Sequence, residues 1–428
     1  MLNYTHHSVF ITKMYSVKYL MIILLSGMLL HSGIAQDASR IQAIELIEEG
    51  DRHRQVGQWQ LAEAAYTNAI ETDLSFADAY MKRAALYASQ MQSEKAMADY
   101  DRAIALNPFS EFMYDKRAKL KMLAMDYTGA LEDVNKSISI NPNAWEARYH
   151  RVEDLIAIGE YEAALSDLDT LQQTGHSDTR SLEQTALIYY LMGDRESATQ
   201  FADSILQSDF QSAYAYDIKG LISLQNEEYS QAFEYFSKAI KTDPQYAMAY
   251  YNRALSHKYL GEHNAAIEDL NTAIKLRQDL TNIHYARALM RKELGDIHGA
   301  VDDYSKELNK DEEHIDARYN RAFALKVAGD FTAAMEDAQV LIDMDPTTAR
   351  HWNIKGNILL VFGDFSDAID AYSAALTRDR TYYPARYNRG LAYLMAYLPK
   401  EGCADLQESL DGGYQQAKIP YDQFCREF

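Results

Sequence analysis

The chain has 428 residues, 47% of them hydrophobic, and a formal net charge of −21. That hydrophobic content excludes a disordered chain, and the length argues against a single globular core unless the architecture is repetitive. The negative charge is the opposite of the basic footprint a nucleic-acid backbone demands, so no nucleic-acid partner is expected.

Residues 1–36 differ from the rest. They hold Lys13 and Lys18 and no acidic residue, and 19–30 is a short apolar run, YLMIILLSGMLL. Small residues follow at Gly33 and Ala35. A basic segment, a short apolar run and a small-x-small site predict a secretory signal peptide over residues 1–35, cleaved after Ala35. The run is shorter than the ~20 residues that span a bilayer, so no stable membrane insertion is expected after cleavage. No Cys follows it, which removes a lipoprotein anchor. Translation from Met14 would make the signal more compact. The predicted location is the bacterial periplasm or extracellular space, with the ER lumen as the lesser alternative.

After a short segment at 36–42, one pattern repeats every 34 residues. Units start at Ala43, Ala77, Glu111, Trp145, Thr179, Ala213, Ala247, Thr281, Ile315, Ala349 and Tyr383, without insertion or deletion. The eighth residue is Gly or Ala in ten of eleven units, Val152 being the exception, and the twentieth is Ala in all but the last, Gly402. Two small positions twelve apart let two antiparallel helices approach across a tight turn; a large side chain at either would force them apart. The fifteenth residue is Gly in seven units, from Gly57 to Gly363, which suits the left-handed turn that ends a helix. Pro108, Pro142, Pro244 and Pro346 share the thirty-second position, where Pro stops the second helix. Between these points apolar residues recur at three- and four-residue steps, the helical period.

These recurring positions, over about 43–416, resemble the tetratricopeptide repeat family. The resemblance implies an all-α fold: a right-handed superhelical solenoid of antiparallel helix pairs with a concave inner surface. It also implies a non-catalytic module that binds a protein or peptide partner, with no cofactor and no metal. Repeats four and five depart from the pattern. Repeat four ends in Gln172-Gln173-Thr174-Gly175-His176-Ser177 without the Pro, and repeat five has Thr185, Ala202 and Ile205 at otherwise patterned positions. Looser or altered stacking is expected near 172–182.

The seventh and twenty-third positions covary within the chain. Arg83 goes with Asp99, Arg117 with Asp133, Arg151 with Asp167, Arg253 with Asp269, Arg287 with Asp303, Arg321 with Asp337 and Arg389 with Asp405. Units with Glu49, Thr185, Lys219 or Lys355 instead have Ala65, Phe201, Tyr235 and Ala371. Seven copies of one pair argue for structural ion pairs within each hairpin, not for a catalytic dyad.

The family geometry implies that positions two, five, nine, twelve and thirteen line the concave face. In repeats seven to nine these positions hold Tyr251, Leu255 and Lys258, then Tyr285, Leu289 and Lys292, then Tyr319, Phe323 and Lys326. Tyr387 and Leu391 follow in repeat eleven, and Asn252, Asn320 and Asn388 sit beside the tyrosines. Tyr offers wide contact with a polar tip, Asn can bond a peptide backbone, and a lysine row attracts carboxylates. An extended partner segment on this face is the expectation; the alternative is inter-helix packing with solvated lysines. Family members that clamp a chaperone's terminal carboxylate use Lys and Asn where this chain has Tyr251 and Leu255, which speaks against that specific role.

Cys403 and Cys425 are the only cysteines. In an oxidising compartment such a pair can bond, stapling a C-terminal cap at 417–428 onto the last repeat. No HExxH, CxxC, GxSxG or phosphate-binding Gly loop occurs. His257 and His263 are six apart across a turn, a weak metal signal outweighed by ordinary loop placement. An exported interaction scaffold is thus the leading reading. A periplasmic or lumenal co-chaperone holding unfolded clients is the alternative, and an enzyme the least supported.

Overall fold

The computed structural model describes residues 37–208, 211–277 and 280–426; the predicted signal peptide lies outside them. The chain divides into two compact units, one ending at Asp194 and the other beginning at Arg195. Among the described residues every regular element is a helix.

The first unit holds α1 (37–55), α2 (Trp59–Thr72), α3 (Ala77–Ser89), α4 (Ser93–Leu106), α5 (Glu111–Leu123), α6 (Tyr127–Ile140), α7 (Trp145–Ile158), α8 (Tyr161–Gln173) and α9 (Thr179–Leu191). Residues 37–42 are helical and continuous with the rest of α1. The second unit holds α10 (Arg195–Gln207), α11 (Ala213–Gln225), α12 (Tyr229–Thr242), α13 (Ala247–Tyr259), α14 (His263–Leu276), α15 (Ile283–Glu293) and α16 (Ile297–Lys310). It continues with α17 (Ile315–Ala328), α18 (Phe331–Met344), α19 (Ala349–Phe362), α20 (Phe365–Arg378), α21 (Tyr383–Met395) and α22 (Pro399–Asp411). A 3₁₀ turn, Gln415–Ala417, and α23 (Lys418–Phe424) close the chain.

Each hairpin closes on its small residues. The ten alanines at the twentieth position, from Ala62 to Ala368, are each 0% exposed. In the last hairpin the backbones themselves approach. A Cβ at Gly402 would lie 2.9 Å from the Gly390 carbonyl oxygen. The other glycines at position eight serve a different purpose. A Cβ at Gly50, Gly220 or Gly356 would lie 2.5, 2.4 or 2.5 Å from the ring of Tyr66, Phe236 or Tyr372. There the missing side chain admits an aromatic ring from the second helix. The hydroxyls of Tyr66 and Tyr372 then reach Asp51 and Asn357 at 2.6 and 2.9 Å.

The turns show which sequence signals matter. Position fifteen has positive φ in every hairpin, including Met91, Met125, Glu227 and Tyr397, at φ 58–61°. The hairpin geometry dictates the left-handed conformation, and where Gly is absent the fold carries roughly 1 kcal/mol of local strain. The second helix ends by another device than Pro. Asp73, Asn107, Asn141, Asp243, Asp311, Asp345 and Asp379, all at position thirty-one, each accept from the backbone N–H two residues on, at 2.8–3.3 Å. This Asx turn ends the helix in units with Pro and without it.

The segment near 172–182 is tied down locally, while the stacking there is altered as expected: α8 packs less extensively on α9 than the second helix of any other described hairpin does on the helix that follows it. The Tyr149 hydroxyl bonds the His176 carbonyl and Asp178 at 2.9 Å each, and Trp145 stacks on His176. Asp178 and Ser181 form a capping box that starts α9. Position thirty-one here is Gly175, at φ 77°. The division between units falls instead after α9.

Candidate functional site

The predicted face lies on α13, α15 and α17 of the second unit. Tyr251, Leu255 and Lys258 of α13 meet Tyr285 and Leu289 of α15 around a groove of about 130 Å³. Ala254, Leu270, Ala286 and Met290 form the rest of its lining. Burial raises the pKa of the Tyr251, Tyr285 and Tyr319 phenols, so all three stay neutral donors at neutral pH. Lys258 lies 5.2 Å from the Tyr259 ring centroid. Lys292 Nζ reaches Asn320 Oδ1 at 3.4 Å and Glu293 at 3.9 Å. Lys326 packs over Phe323 at 4.7 Å, and burial lowers its pKa. The row therefore carries one cation held by a carboxylate and two that rest on aromatic rings.

Further along, Tyr319 is covered by the Arg350 guanidinium at 4.0 Å, while Phe323 stays exposed. Tyr387 does not join this face. It packs at the chain end with Tyr414, at 5.4 Å, beside Cys403 and Cys425. Those two cysteines are disulfide-bonded, holding α23 against α22.

The asparagines are engaged by the chain itself, and Asn320 bonds Tyr285 and Lys292 of the predicted face. Asn252 is 3% exposed and its Nδ2 donates to Asp217 Oδ1 at 2.8 Å. Asn320 donates to the Tyr285 hydroxyl at 3.3 Å and to the Asp316 carbonyl at 2.8 Å. Asn388 donates to Asn353 and Asn357 at 3.1 and 2.9 Å. Where position six is Asn it thus ties its hairpin to the preceding one. Lys82 to Asp51 at 2.6 Å and His150 to Asp115 at 2.5 Å do the same in the first unit. Asp217 illustrates the cost: burial pushes its carboxyl up to about 6, against the bonds from Asn252 and Tyr246. Covariation between position six and position five or nine of the previous unit would have revealed these ties.

The seven Arg–Asp pairs are all formed. Nε and Nη2 of Arg83, Arg117, Arg151, Arg253, Arg287, Arg321 and Arg389 grip the two oxygens of Asp99, Asp133, Asp167, Asp269, Asp303, Asp337 and Asp405 at 2.5–2.9 Å. Each Nη1 then reaches position twenty-five of the preceding hairpin, from Thr67 to Ser373, at 2.6–3.3 Å. One guanidinium fork thereby joins three helices. Lys219 and Lys355, whose units lack the Asp, keep only the backward contact, to Asp203 and Gln339. A point-charge ammonium can serve that single partner, which explains why Asp appears only with Arg.

Among the described residues no group of three or more His, Cys, Asp or Glu forms a metal-binding cluster. His257 instead bonds Glu262 at 2.6 Å. No helix among them is long and apolar enough to cross a membrane.

Hairpins with a shared small-residue seam, one turn conformation and a repeated inter-hairpin lock define an α-helical repeat protein. Tetratricopeptide repeat models match residues 47–111, 213–246, 247–280, 319–384 and 354–401, together about half of the chain. The chain belongs to the tetratricopeptide repeat family, whose members are protein-interaction scaffolds. No curated protein matches it significantly. Solved structures similar to it include the APC/C hetero-tetramer Cut9–Hcn1, at 13% identity and TM-score 0.46, covering 90% of this chain and 96% of that one. A tetratricopeptide repeat protein from Parabacteroides merdae aligns at 19% identity and TM-score 0.44, over 57% and 97%. Yeast Tom70 aligns at 16% identity and TM-score 0.37, over 89% and 95%.

Proposed function

We propose that this protein is an exported, non-catalytic scaffold that binds an extended partner segment across α13, α15 and α17. The observation that carries the reading is the groove of Tyr251, Leu255, Lys258, Tyr285 and Leu289. It offers apolar walls, neutral phenol donors and a lysine at its rim with no carboxylate partner among the described residues. That chemistry suits an apolar side chain flanked by acidic ones, held by contact area and steered by charge. Export rests on the charge and hydropathy pattern of residues 1–36.

Selection of short random peptides on the purified chain tests the binding face. Enriched sequences combining apolar and acidic residues, lost with Tyr251→Ala plus Tyr285→Ala, support it; enrichment that survives the double substitution refutes it. N-terminal sequencing of the mature protein tests export, with a start at Gln36 expected. A client-holding role has one supporting observation: an apolar groove of about 490 Å³ lined by Phe331, Met335, Ile358, Leu359 and Phe362. Suppression of a model client's aggregation, lost with Phe362→Ser, would favour that second reading.

A further inference from the structure

A second pocket, wholly within the first unit, has the opposite chemistry. It encloses about 210 Å³ between the starts of α5 and α7 and the end of α6. Phe112 and Trp145, 47% and 41% exposed, form its walls, and Glu111, Asp115 and Glu146 its acidic lining. Ser137 of α6 completes it.

Three observations separate this pocket from an ordinary crevice. Ser137 is 0% exposed and its hydroxyl has no hydrogen-bond partner. Ser409 occupies the equivalent position in the last hairpin, and its hydroxyl donates back to the Asp405 carbonyl at 2.8 Å. The Ser137 hydroxyl forgoes that bond and leaves an unsatisfied buried group, which natural cores rarely tolerate. Second, the carboxylates are unequally used. Asp115 is paired with Lys116 at 3.1 Å and hydrogen-bonded to His150 at 2.5 Å. Glu111 accepts only from the neutral Asn141 amide at 3.3 Å, and neither Glu111 nor Glu146 pairs with a cation among the described residues. Favourable placement at a helix start accounts for two glutamates there, but not for Ser137 or for the exposed aromatic walls. Third, the chain itself shows what a wall accepts: the Lys116 ammonium sits 4.7 Å from the Phe112 ring centroid.

We propose that this pocket binds a basic side chain of a partner protein, an arginine or lysine. The cation would lie against Trp145 and Phe112, paired with Glu146 and Glu111, and the Ser137 hydroxyl would accept one of its N–H groups. An arginine fits best, because its planar donors can stack and bond at once.

The test uses the full-length protein and calorimetric titration with two short capped peptides, one centred on arginine and one on glutamate at the same place. The arginine peptide is expected to bind, more weakly as salt rises, and the glutamate peptide not to bind. Glu146→Gln, at an exposed position that leaves the fold intact, should weaken binding about fivefold, as expected for loss of one charge-assisted bond. Ser137→Ala should weaken it about threefold with unchanged helical dichroism. Absence of arginine-peptide binding, equal binding of both peptides, or binding unaffected by Glu146→Gln overturns the proposal. Peptide binding that is blocked by Tyr285→Ala instead would place the ligand in the second unit and likewise overturn it.

Discussion

Removing Arg253 should damage the fold more than removing Arg287, although Arg287–Asp303 is the more buried pair. The side chains of Arg253 and Asp269 are 21% and 9% exposed, against 10% and 0% for Arg287 and Asp303. Burial alone would rank the second loss as worse. The surroundings reverse that order. Without Arg253, Asp269 keeps only His257, at 3.7 Å. Without Arg287, Asp303 keeps Arg291 at 2.9 Å and Lys306 at 3.7 Å. Stranding a buried charge costs about 3–5 kcal/mol. Partial exposure reduces this to about 3 kcal/mol for Arg253→Met, while retained cations limit Arg287→Met to about 1 kcal/mol. Repeat proteins unfold by parts, so hydrogen exchange in α14 and α16, which gives local opening free energies, is the assay. Arg253→Met and Asp269→Leu combined should cost less than their sum by at least about 1 kcal/mol. An Arg287→Met loss equal to or above that of Arg253→Met would refute the reasoning that a second cation rescues the buried carboxylate.

Other predictions follow from the same contacts. Gly356→Ala should destabilise its hairpin by about 1–3 kcal/mol, because the new methyl meets the fully buried Tyr372 ring; thermal unfolding followed by exchange in α19 measures it. Asp217 has a folded pKa raised from the model-peptide 3.8 to about 6, so the native state binds the proton more tightly than the unfolded one. Stability near α11 and α13 should therefore fall as pH rises from about 4 to about 6, and Asp217→Asn should flatten that slope. Asp303 has the opposite sign: burial raises its carboxyl, but the nearby His284 ring, at 3.8 Å, the bonds from Arg287 and the charges of Arg287 and Arg291 outweigh this and hold it at about 2. Its contribution should be present above pH 4 and lost as pH falls towards 2, read as the acid limb of the same profile. Reduction of Cys403–Cys425, which closes a 22-residue separation, should cost roughly 3 kcal/mol of local stability and speed exchange in α23 while leaving α13 unchanged.

The seam, the turns and the ion pairs were legible because each depends on a residue type at a fixed position, repeated often enough to compare within one chain. The rule linking Arg at position seven to Asp at position twenty-three reads directly as a bidentate contact. Its backward half was not visible, because Thr67, Asp101, Asn135 and Ser237 share a hydrogen-bonding capacity and not an identity. The helix stop was assigned to Pro because Pro is conspicuous, while the Asx turn beside it operates in more units. Asn252 was misassigned for a geometric reason. Positions five and six are adjacent in sequence but about 100° apart around a helix, so Tyr251 can line a groove while Asn252 turns into the interface with the preceding hairpin. Tyr387 shares its repeat position with Tyr251, yet the disulfide-bonded cap gives it a different environment.

Site-specific photo-crosslinking shows whether a partner segment lies across α13, α15 and α17. A photoreactive residue replaces Leu255 or Leu289 in the groove, or Val340 as an exposed control on α18. The predicted result is one shared partner captured from both groove positions, competed by excess acidic–apolar peptide, and absent from position 340. Capture at 340 with none at 255 and 289 would contradict the account.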